Sequence, residues 1–313
     1  MFVASCGRWN TRNKGGGTDR GSAFFFLFVV GIKMISNSSR QRGLVGIGDN
    51  VVDHYLDQGV YYPGGNALNV AVLARRFGLA NTVYLGILAD DEEGRHIQSC
   101  LAAEGLSDDY VRYVRGETGK AKVTLVDGDR VFVGSNHGGV RKRLALRMDE
   151  PDLSLIKRLG SVHSSCFSYL EPELPRIRSN AERLSFDFST GRDKDYFAAI
   201  CPLVTTAFFS GSDMNDPETE AFIRELHLLG APMVCVTQGV RGAVFSDGRS
   251  TFRQGIVQAK VVDTMGAGDA FTAGFLSATI QGAAIEASLR HGAKAAAAAC
   301  ESEGAFGYPH PAK

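Results

Sequence analysis

The feature that most constrains the fold is the alternation of short apolar runs with amphipathic segments from Gly43 onward. Residues 44–48 and 82–87 have the length and apolar content of buried strands. Residues 65–77 and 92–103 place their apolar side chains at helical spacing. Strands that alternate with helices usually pair in parallel, so the pattern predicts a parallel sheet covered by helices on both faces.

Two segments break this alternation. Residues 120–126 and 130–133 flank Asp127-Gly-Asp129, a turn signal of β-hairpins, and no helix lies between them. Residues 57–62 are also short and non-helical. Together these segments predict a small antiparallel flap attached to the main sheet, of the kind that closes over a substrate. An ordinary edge hairpin would give the same pattern and stays an alternative.

After the predicted flap, strands and helices alternate again, and the sequence contains neither a low-complexity linker nor an internal repeat. The chain therefore predicts one domain of residues 43–313, with a lid formed by about 55–63 and 117–140. The further elements predicted are strands at 161–165, 184–188, 206–209 and 233–237, a helix at 218–229, and a hairpin of 242–246 and 251–253.

Residues 1–42 form a different kind of segment. An apolar run over 23–32 follows four basic residues, which is the outline of a secretory signal, but no small-residue cleavage site follows it cleanly. Met34 offers a second start just before the first predicted strand. We therefore expect a disordered extension or a misassigned start, and an export signal stays the alternative.

Charge and cysteine content argue against several kinds of partner. Lys+Arg 34 balances Asp+Glu 34, and no long basic block stands out, so nucleic acid is not an expected partner. An anionic ligand would need a local site. The six cysteines are scattered without a CxxC pair, which favours reduced thiols in a cytosolic protein over disulfides or zinc.

The most informative motif is the string Asp263-Thr-Met-Gly-Ala-Gly-Asp-Ala-Phe271, which leads into a predicted helix. Gly266, Ala267 and Gly268 lie at the loop-to-helix junction, where backbone N–H groups favour an anion such as a transferring phosphoryl group. Asp269, in the first turn, is placed to take a proton from an attacking hydroxyl. A lone Gly-x-Gly-Asp would be an ordinary tight turn, but the longer string favours the functional interpretation.

A second glycine-rich string, Pro63-Gly-Gly-Asn-Ala-Leu-Asn-Val-Ala71, also begins a predicted helix. Gly64 and Gly65 permit a ligand to approach closely. The amides of Asn66 and Asn69 both donate to and accept from hydroxyls, which suits a polyol better than a phosphate. The alternative is that Asn66 caps the helix and Asn69 lies on the surface.

Polar residues also follow two predicted strands, at the edge where ligands of parallel sheets gather. Asp49 and Asp53 come after the first strand, and their carboxylates can accept sugar hydroxyls, although Asp49 could equally form a turn. The string Thr237-Gln-Gly-Val-Arg-Gly242 could face a nucleotide. It lacks the Gly-Lys-Ser/Thr ending of a P-loop and is a weak signal by itself.

In this order the strings resemble the PfkB/ribokinase family of carbohydrate kinases. The resemblance covers about residues 43–307, and residues 64–71 and 263–271 carry it as the family's two signatures. It implies a ribokinase-like three-layer α/β/α sandwich with a small β lid, and MgATP as the phosphoryl donor. It also implies that Asp269 is the base and that residues 266–268 form the anion hole.

The resemblance implies further roles. Asp53, Gly65 and Asn69 match the sugar-binding positions, whereas Asp263 is similar to a residue that helps some members to hold a monovalent cation such as K⁺. A nucleotide-side loop is matched by Thr237, Gly239 and Gly242.

One departure concerns magnesium. The family commonly carries an Asn-x-x-Glu motif that organises water around Mg²⁺. Ser210-Gly-Ser-Asp213 stands in that place, so Asp213 is the candidate acid.

Within the family, strings such as residues 48–53 and 186–189 are most similar to members that act on fructosamines. The resemblance therefore implies phosphorylation of the 6-hydroxyl of fructoselysine or a related fructosamine. The alternatives are another sugar or nucleoside kinase of the family, or a non-catalytic sugar or nucleotide sensor. A sugar-phosphate kinase would need basic residues in the site, and residues 141–143 fit a solvated turn better. We expect a cytoplasmic enzyme without membrane partners, and a homodimer through the lid stays open.

Overall fold

The computed structural model describes residues 41–126 and 129–312. Most of the predicted N-terminal extension, and the turn residues Asp127 and Gly128, lie outside the described residues. Within the described ranges, no helix has the length and apolar content needed to cross a membrane.

The described chain contains strands and helices in alternation. In chain order the strands are β1 (Gly43–Gly48), β2 (Val51–Tyr55), β3 (Val60–Gly64), β4 (Thr82–Ala89), β5 (Val111–Val114), β6 (Lys120–Val126), β7 (Asp129–Ser135), β8 (Gly160–Ser165), β9 (Arg183–Asp187), β10 (Thr206–Ser210), β11 (Met233–Thr237), β12 (Ala243–Ser246), β13 (Thr251–Gln254) and β14 (His310–Pro311). The helices are α1 (Asn66–Arg76), α2 (Glu92–Ala103), α3 (Gly139–Arg143), α4 (Glu150–Leu159), α5 (Leu174–Asn180), α6 (Lys194–Ile200), α7 (Asp216–Leu228), α8 (Ala267–Ile280) and α9 (Ile285–Ala299).

The large sheet has the order β13-β12-β11-β10-β9-β8-β1-β4-β5. All strand pairs from β11 to β5 are parallel, as the alternating pattern predicted, and β12 and β13 form the predicted antiparallel hairpin. The carboxyl ends of β1, β8 and β9 therefore lie side by side at one edge of the sheet. Parallel sheets bind ligands at this edge.

Helices cover both faces of the large sheet. Residues of α1, α2, α8 and α9 belong to one apolar core, which includes Phe208 and Phe275. Residues of α4, α5, α6 and α7 belong to a second core, which includes Phe209 and Phe197. Phe208 and Phe209 are neighbours in β10 and point to opposite faces, as strand geometry requires. Each buried phenylalanine contributes about 1.5–3 kcal/mol, so both helix layers are firmly attached.

The second sheet, which we call the small sheet, has the order β14-β3-β2-β6-β7. It contains strands from both segments that were predicted to form the flap. Three of its four strand pairs are antiparallel, including the predicted hairpin of β6 and β7. However, it is a sheet of its own and β2 pairs with β6 in parallel, so the predicted attachment to the main sheet is wrong, and the pairing is not antiparallel throughout. Between β2 and β6 the chain passes through β3, α1, β4, α2 and β5, and a connection of this length allows parallel pairing. Strand β14 was not predicted, because two residues carry no strand pattern.

The basic cluster at residues 141–143 is solvated only in part, since Lys142 and Arg143 are exposed whereas Arg141 is buried. It forms most of α3, and Arg141 is only 2% exposed. Its Nη1 donates to the carbonyl oxygen of Leu144 at 3.0 Å, which closes the C-terminal end of this short helix.

Candidate active site

The centre of the site is Asp269, in the first turn of α8. Its Oδ1 accepts a hydrogen bond from Asn66 Nδ2 at 2.8 Å, and its Oδ2 accepts one from Asn69 Nδ2 at 2.7 Å. Both asparagines lie in the first turn of α1, three residues apart and thus on one helix face. The first turns of two helices are therefore joined through one carboxylate.

The alternative roles considered for the two asparagines are wrong. The N-cap of α1 is Gly65, so Asn66 is a helical residue whose amide faces two acids. Asn69 is buried instead of lying on the surface.

The electrostatics of Asp269 suit a general base. Burial raises the pKa of Asp269 to about 7, and the negative charges of Asp187 and Asp49 add to this, while the bonds from Asn69 and Asn66 oppose it. A base works best when its pKa lies near the working pH. Asp269 can therefore take up a proton from a hydroxyl group near neutral pH.

The start of α8 offers space beside its free backbone donors. Gly266 is the N-cap with φ 71°, and a Cβ there would lie 2.5 Å from Ala305 Cβ, so backbone conformation and packing both require glycine. A Cβ on Gly268 would meet nothing within 4 Å. The first N–H groups of a helix have no partner within the helix. The space at Gly268 is therefore a cradle in which an anion can reach these donors.

A cavity of about 360 Å³ adjoins this cradle. Its lining includes Thr237, Gly239 and Gly242 from one predicted motif, and Ala267 and Gly268 from the other. The structure thus brings together a loop and a helix start that the sequence separates. Apolar side chains form much of the remaining wall, which is typical of pockets for flat ligands, and they include Val240, Ile256, Val257, Phe271, Ala293 and Ala296.

Asp53, on β2 of the small sheet, is 5% exposed, and its carboxylate accepts no hydrogen bond from a described residue. Burial, with a smaller effect of the Asp263 charge, raises the pKa of Asp53 to about 7. A Cβ on Gly64 would lie 2.3 Å from Asp53 Oδ2, and one on Gly65 would lie 2.7 Å from Asn50 Cα. The two glycines therefore allow the close contacts that place Asp53 beside the start of α1.

Asp49 has a different environment from the one predicted. Its Oδ1 accepts from Ala67 N at 3.2 Å, from Ser165 Oγ at 2.8 Å and from Ser168 Oγ at 2.7 Å. These bonds connect the ends of β1 and β8 to the first turn of α1. Asp49 is thus a structural centre that positions α1, and its predicted contact with sugar stays a prediction for Oδ2.

The two candidate metal ligands lie apart from each other. The Asp213 side chain is 69% exposed and forms an ion pair with Arg192 Nη2 at 3.1 Å, an environment that does not favour a metal ligand. Asp263 is buried, and its Oδ2 accepts from Tyr55 Oη at 2.7 Å and Gly304 N at 2.8 Å. These bonds connect β2 to the loop before α8. In the described part of the chain, no three His, Cys, Asp or Glu side chains are grouped to hold a metal ion.

Sequence reasoning assigned no role to Asp187, the last residue of β9. Its Oδ2 accepts from Asn66 Nδ2 at 3.0 Å, and its Oδ1 accepts from Ser189 N at 2.6 Å. Burial raises the pKa of Asp187 to about 6. Its position at the carboxyl end of a parallel strand was the available signal. Asp187, Asn66 and Asp269 therefore form one polar cluster at this edge.

Comparison with known proteins identifies the family. Residues 25–174 and 196–311 match the pfkB family carbohydrate kinase, and the chain belongs to this family, which confirms the predicted enzyme class. The chain is 48% identical over 269 residues to fructosamine kinase FrlD of Bacillus subtilis strain 168, which covers 86% of this chain and 94% of that protein. It is 32% identical over 265 residues to fructoselysine 6-kinase of Escherichia coli K12, which covers 85% of this chain and 100% of that protein.

A solved structure supports the same fold. Arabidopsis thaliana ribokinase complexed with ribose and ATP is similar with a TM-score of 0.74 at 23% sequence identity, covering 85% of this chain and 94% of that one. The predicted ribokinase-like three-layer α/β/α fold is confirmed.

Proposed function

We propose that the protein transfers the γ-phosphoryl group of ATP to the 6-hydroxyl of fructoselysine or a related fructosamine. The observation that carries the proposal is the placement of Asp269, a carboxylate with a pKa near 7, beside the open cradle at Gly268. A base and an anion-binding helix start at one point are what transfer to a hydroxyl requires. The 48% identity to a fructosamine kinase supports the substrate class.

The residues of the site have distinct tasks in this reaction. Asp53 accepts hydrogen bonds from sugar hydroxyls, because its carboxylate has no described donor of its own. Asn69 Oδ1 is a buried acceptor without a described partner, on the same amide that donates to Asp269, so it can accept a further hydroxyl. Asp269 takes the proton of the attacking hydroxyl. The N–H groups at the start of α8 then stabilise the charge that develops on the phosphoryl group.

The cavity next to Gly268 fits a nucleotide, with Thr237, Gly239 and Gly242 on its wall. ATP supplies the phosphoryl group, and Mg²⁺ neutralises phosphate charge in such reactions. Mg²⁺ is commonly held by substrate phosphates and water with few carboxylates, which agrees with the ion-paired Asp213. The hydrogen-bonded environment of Asp263 fits a structural role better than a K⁺ ligand.

The small sheet is proposed to act as the lid of a catalytic domain of residues 43–313. Asp53 lies on this sheet. Because its carboxylate is proposed to bind the sugar, closure of the small sheet would carry the bound sugar with it. Phe132 on β7 is 62% exposed, and exposed apolar side chains on a lid strand favour a homodimer through this surface. A requirement for ATP favours the cytoplasm as the compartment.

A substrate panel tests the proposal directly. ADP formation is measured with fructoselysine, other fructosamines, fructose, ribose and adenosine. We expect a kcat/KM at least about tenfold higher for a fructosamine than for fructose, since each useful polar contact contributes roughly a factor of ten. Turnover of ribose or adenosine without turnover of any fructosamine would refute the substrate. Sugar binding without ADP formation from any compound would instead indicate a sensor.

The pH dependence of turnover is expected to follow two carboxylates. Burial raises the pKa of Asp269 and of Asp53 to about 7, and both act in the ionised form. The logarithm of kcat/KM should therefore rise with pH up to about 7, with a limiting slope of about 2 in acid. Replacing Asp53→Asn should lower kcat/KM and reduce the limiting slope of its logarithm against pH to about 1. A kcat/KM that stays constant between about pH 5 and pH 8 would contradict these roles.

A further inference from the structure

His163 is a buried histidine behind the site that the proposed reaction does not use. It lies in β8 and is 0% exposed. Its Nε2 lies 2.9 Å from Asn66 Oδ1, and its Nδ1 lies 3.0 Å from Ser185 Oγ on the neighbouring strand β9. The ring thus connects the interior of the large sheet to the asparagine that holds Asp269.

The contacts of Asn66 determine which nitrogen of the ring carries the proton. Asn66 Nδ2 donates to Asp187 and to Asp269, so Asn66 Oδ1 faces the histidine and can only accept. Burial lowers the pKa of His163 to about 3, so the ring is neutral and has one N–H group. That group must be Nε2–H, so Nδ1 is an acceptor and takes the single proton of the Ser185 hydroxyl, for which Val162 O, also at 3.0 Å, is the competing acceptor. The direction of donation is Ser185 to His163 to Asn66 to the two carboxylates.

We propose that His163 is a positioning residue for phosphoryl transfer, whose Nε2–H holds the Asn66 amide with its Nδ2 toward Asp269. This inference depends on the proposed role of Asp269 as the base. The two ends of an amide differ only in donor and acceptor character. Without a donor at His163, the amide can turn and place its Oδ1 against both acids.

Turning the Asn66 amide would change the ionisation of Asp269. The charged groups that face Asp269 are Asp187 from β9 and Asp49 from the end of β1, and both are acidic. Asn66 and Asn69 are the described side chains that donate to Asp269. Loss of one donor should therefore raise the pKa of the base, and less of it is ionised at neutral pH.

The test compares His163→Leu with His163→Gln, whose amide N–H can replace the ring donor. We expect His163→Leu to shift the acid limb of kcat upward by about one pH unit or more, because it loses a bond to a group that donates to a charged residue. At pH 7, a shift of the pKa from about 7 to about 8 lowers the ionised fraction of Asp269 from about one half to about one tenth, so kcat should fall roughly fivefold with little change in KM. His163→Gln should restore most of the wild-type profile.

A matched control separates positioning from stability. His227 on α7 also bonds through both ring nitrogens, to Ala231 O and Ser246 Oγ at 2.8 Å each, and neither partner belongs to the site. His227→Leu should lower the melting temperature without shifting the pH profile. If His163→Leu behaves in the same way, the proposal is overturned.

Two results keep the proposal apart from the proposed function. If the wild-type protein turns over no sugar, the proposed kinase function is refuted. If the wild type is active and His163→Leu has the same pH profile, only the positioning role of His163 is refuted. If His163→Leu does not fold, ¹⁵N-histidine NMR of the wild-type protein decides, with the His163→Gln spectrum as assignment. A neutral Nε2–H tautomer from about pH 6 to pH 9 is expected, and an Nδ1–H tautomer would overturn the inference.

Discussion

Replacing Asp269→Asn is expected to lower kcat by about 10³-fold, because a positioned general base contributes roughly 10²–10⁴-fold. The amide keeps the size of the carboxylate but cannot take up the proton. Binding of ATP should change little, since the nucleotide cavity is lined by Gly268 and its neighbours and does not include Asp269. Steady-state kinetics and nucleotide titration measure the two effects separately.

The same variant should be more heat-stable at alkaline pH. The folded protein raises the pKa of Asp269 from the ordinary value of 3.8 to about 7, so the ionised form is less favourable in the folded than in the unfolded chain. This cost is absent in acid and is complete above about pH 7. The melting temperature of Asp269→Asn should thus exceed that of the wild type at pH 8, and the difference should disappear toward pH 4.

The control is Asp195→Asn, which changes an exposed acid in the first turn of α6. It should leave kcat unchanged and should not stabilise the protein. Turnover of Asp269→Asn at the wild-type rate would remove Asp269 from the role of base.

Closing the cradle at Gly268 should have the second largest effect. In Gly268→Val the added side chain enters open space at the start of α8, where a Cβ meets nothing within 4 Å. It would block the approach of a phosphoryl group to the helix N–H donors, and loss of such donors costs about 10²–10³-fold in kcat. Because nothing in the fold has to move, the melting temperature should change by only a few degrees.

Ala102→Val is a matched control, since it adds the same kind of branched side chain at an exposed position within α2. Both variants should fold, and only Gly268→Val should lose turnover. A fully active Gly268→Val would show that the phosphoryl group lies elsewhere.

Much of the fold could be predicted because its strands and helices have clear periods. Predicted helix 92–103 agrees with α2, whose apolar side chains recur at helical spacing. Helix α8 begins at Ala267, which agrees with the loop-to-helix junction predicted at residues 266–268. Helix α9 was not predicted, although its apolar residues outside the alanine run 295–299 recur at helical spacing.

The contacts within the site were harder to predict from the sequence than the fold. Single residues such as Asp269 and Asp53 were chosen from motifs, and the structure places both beside the start of α1, while their roles stay predictions. The pairing of Asn66 with Asp187 and Asp269 could not be predicted, since it joins positions 121 and 203 residues apart. Which side chains meet there depends on the order of strands in the sheet, and a local pattern does not contain that order.

That separation also governs when the protein becomes active during its synthesis. Asp53 and Asn66 leave the ribosome early, whereas α8 and the closing strand β14 are among the last elements to be made. Domains fold as units, and long-range contacts form late. A nascent or truncated chain would hold the proposed sugar-binding residues without the proposed base or the proposed anion site. We therefore expect incomplete chains not to consume ATP. Catalysis would begin only after the first turns of α1 and α8 are in contact.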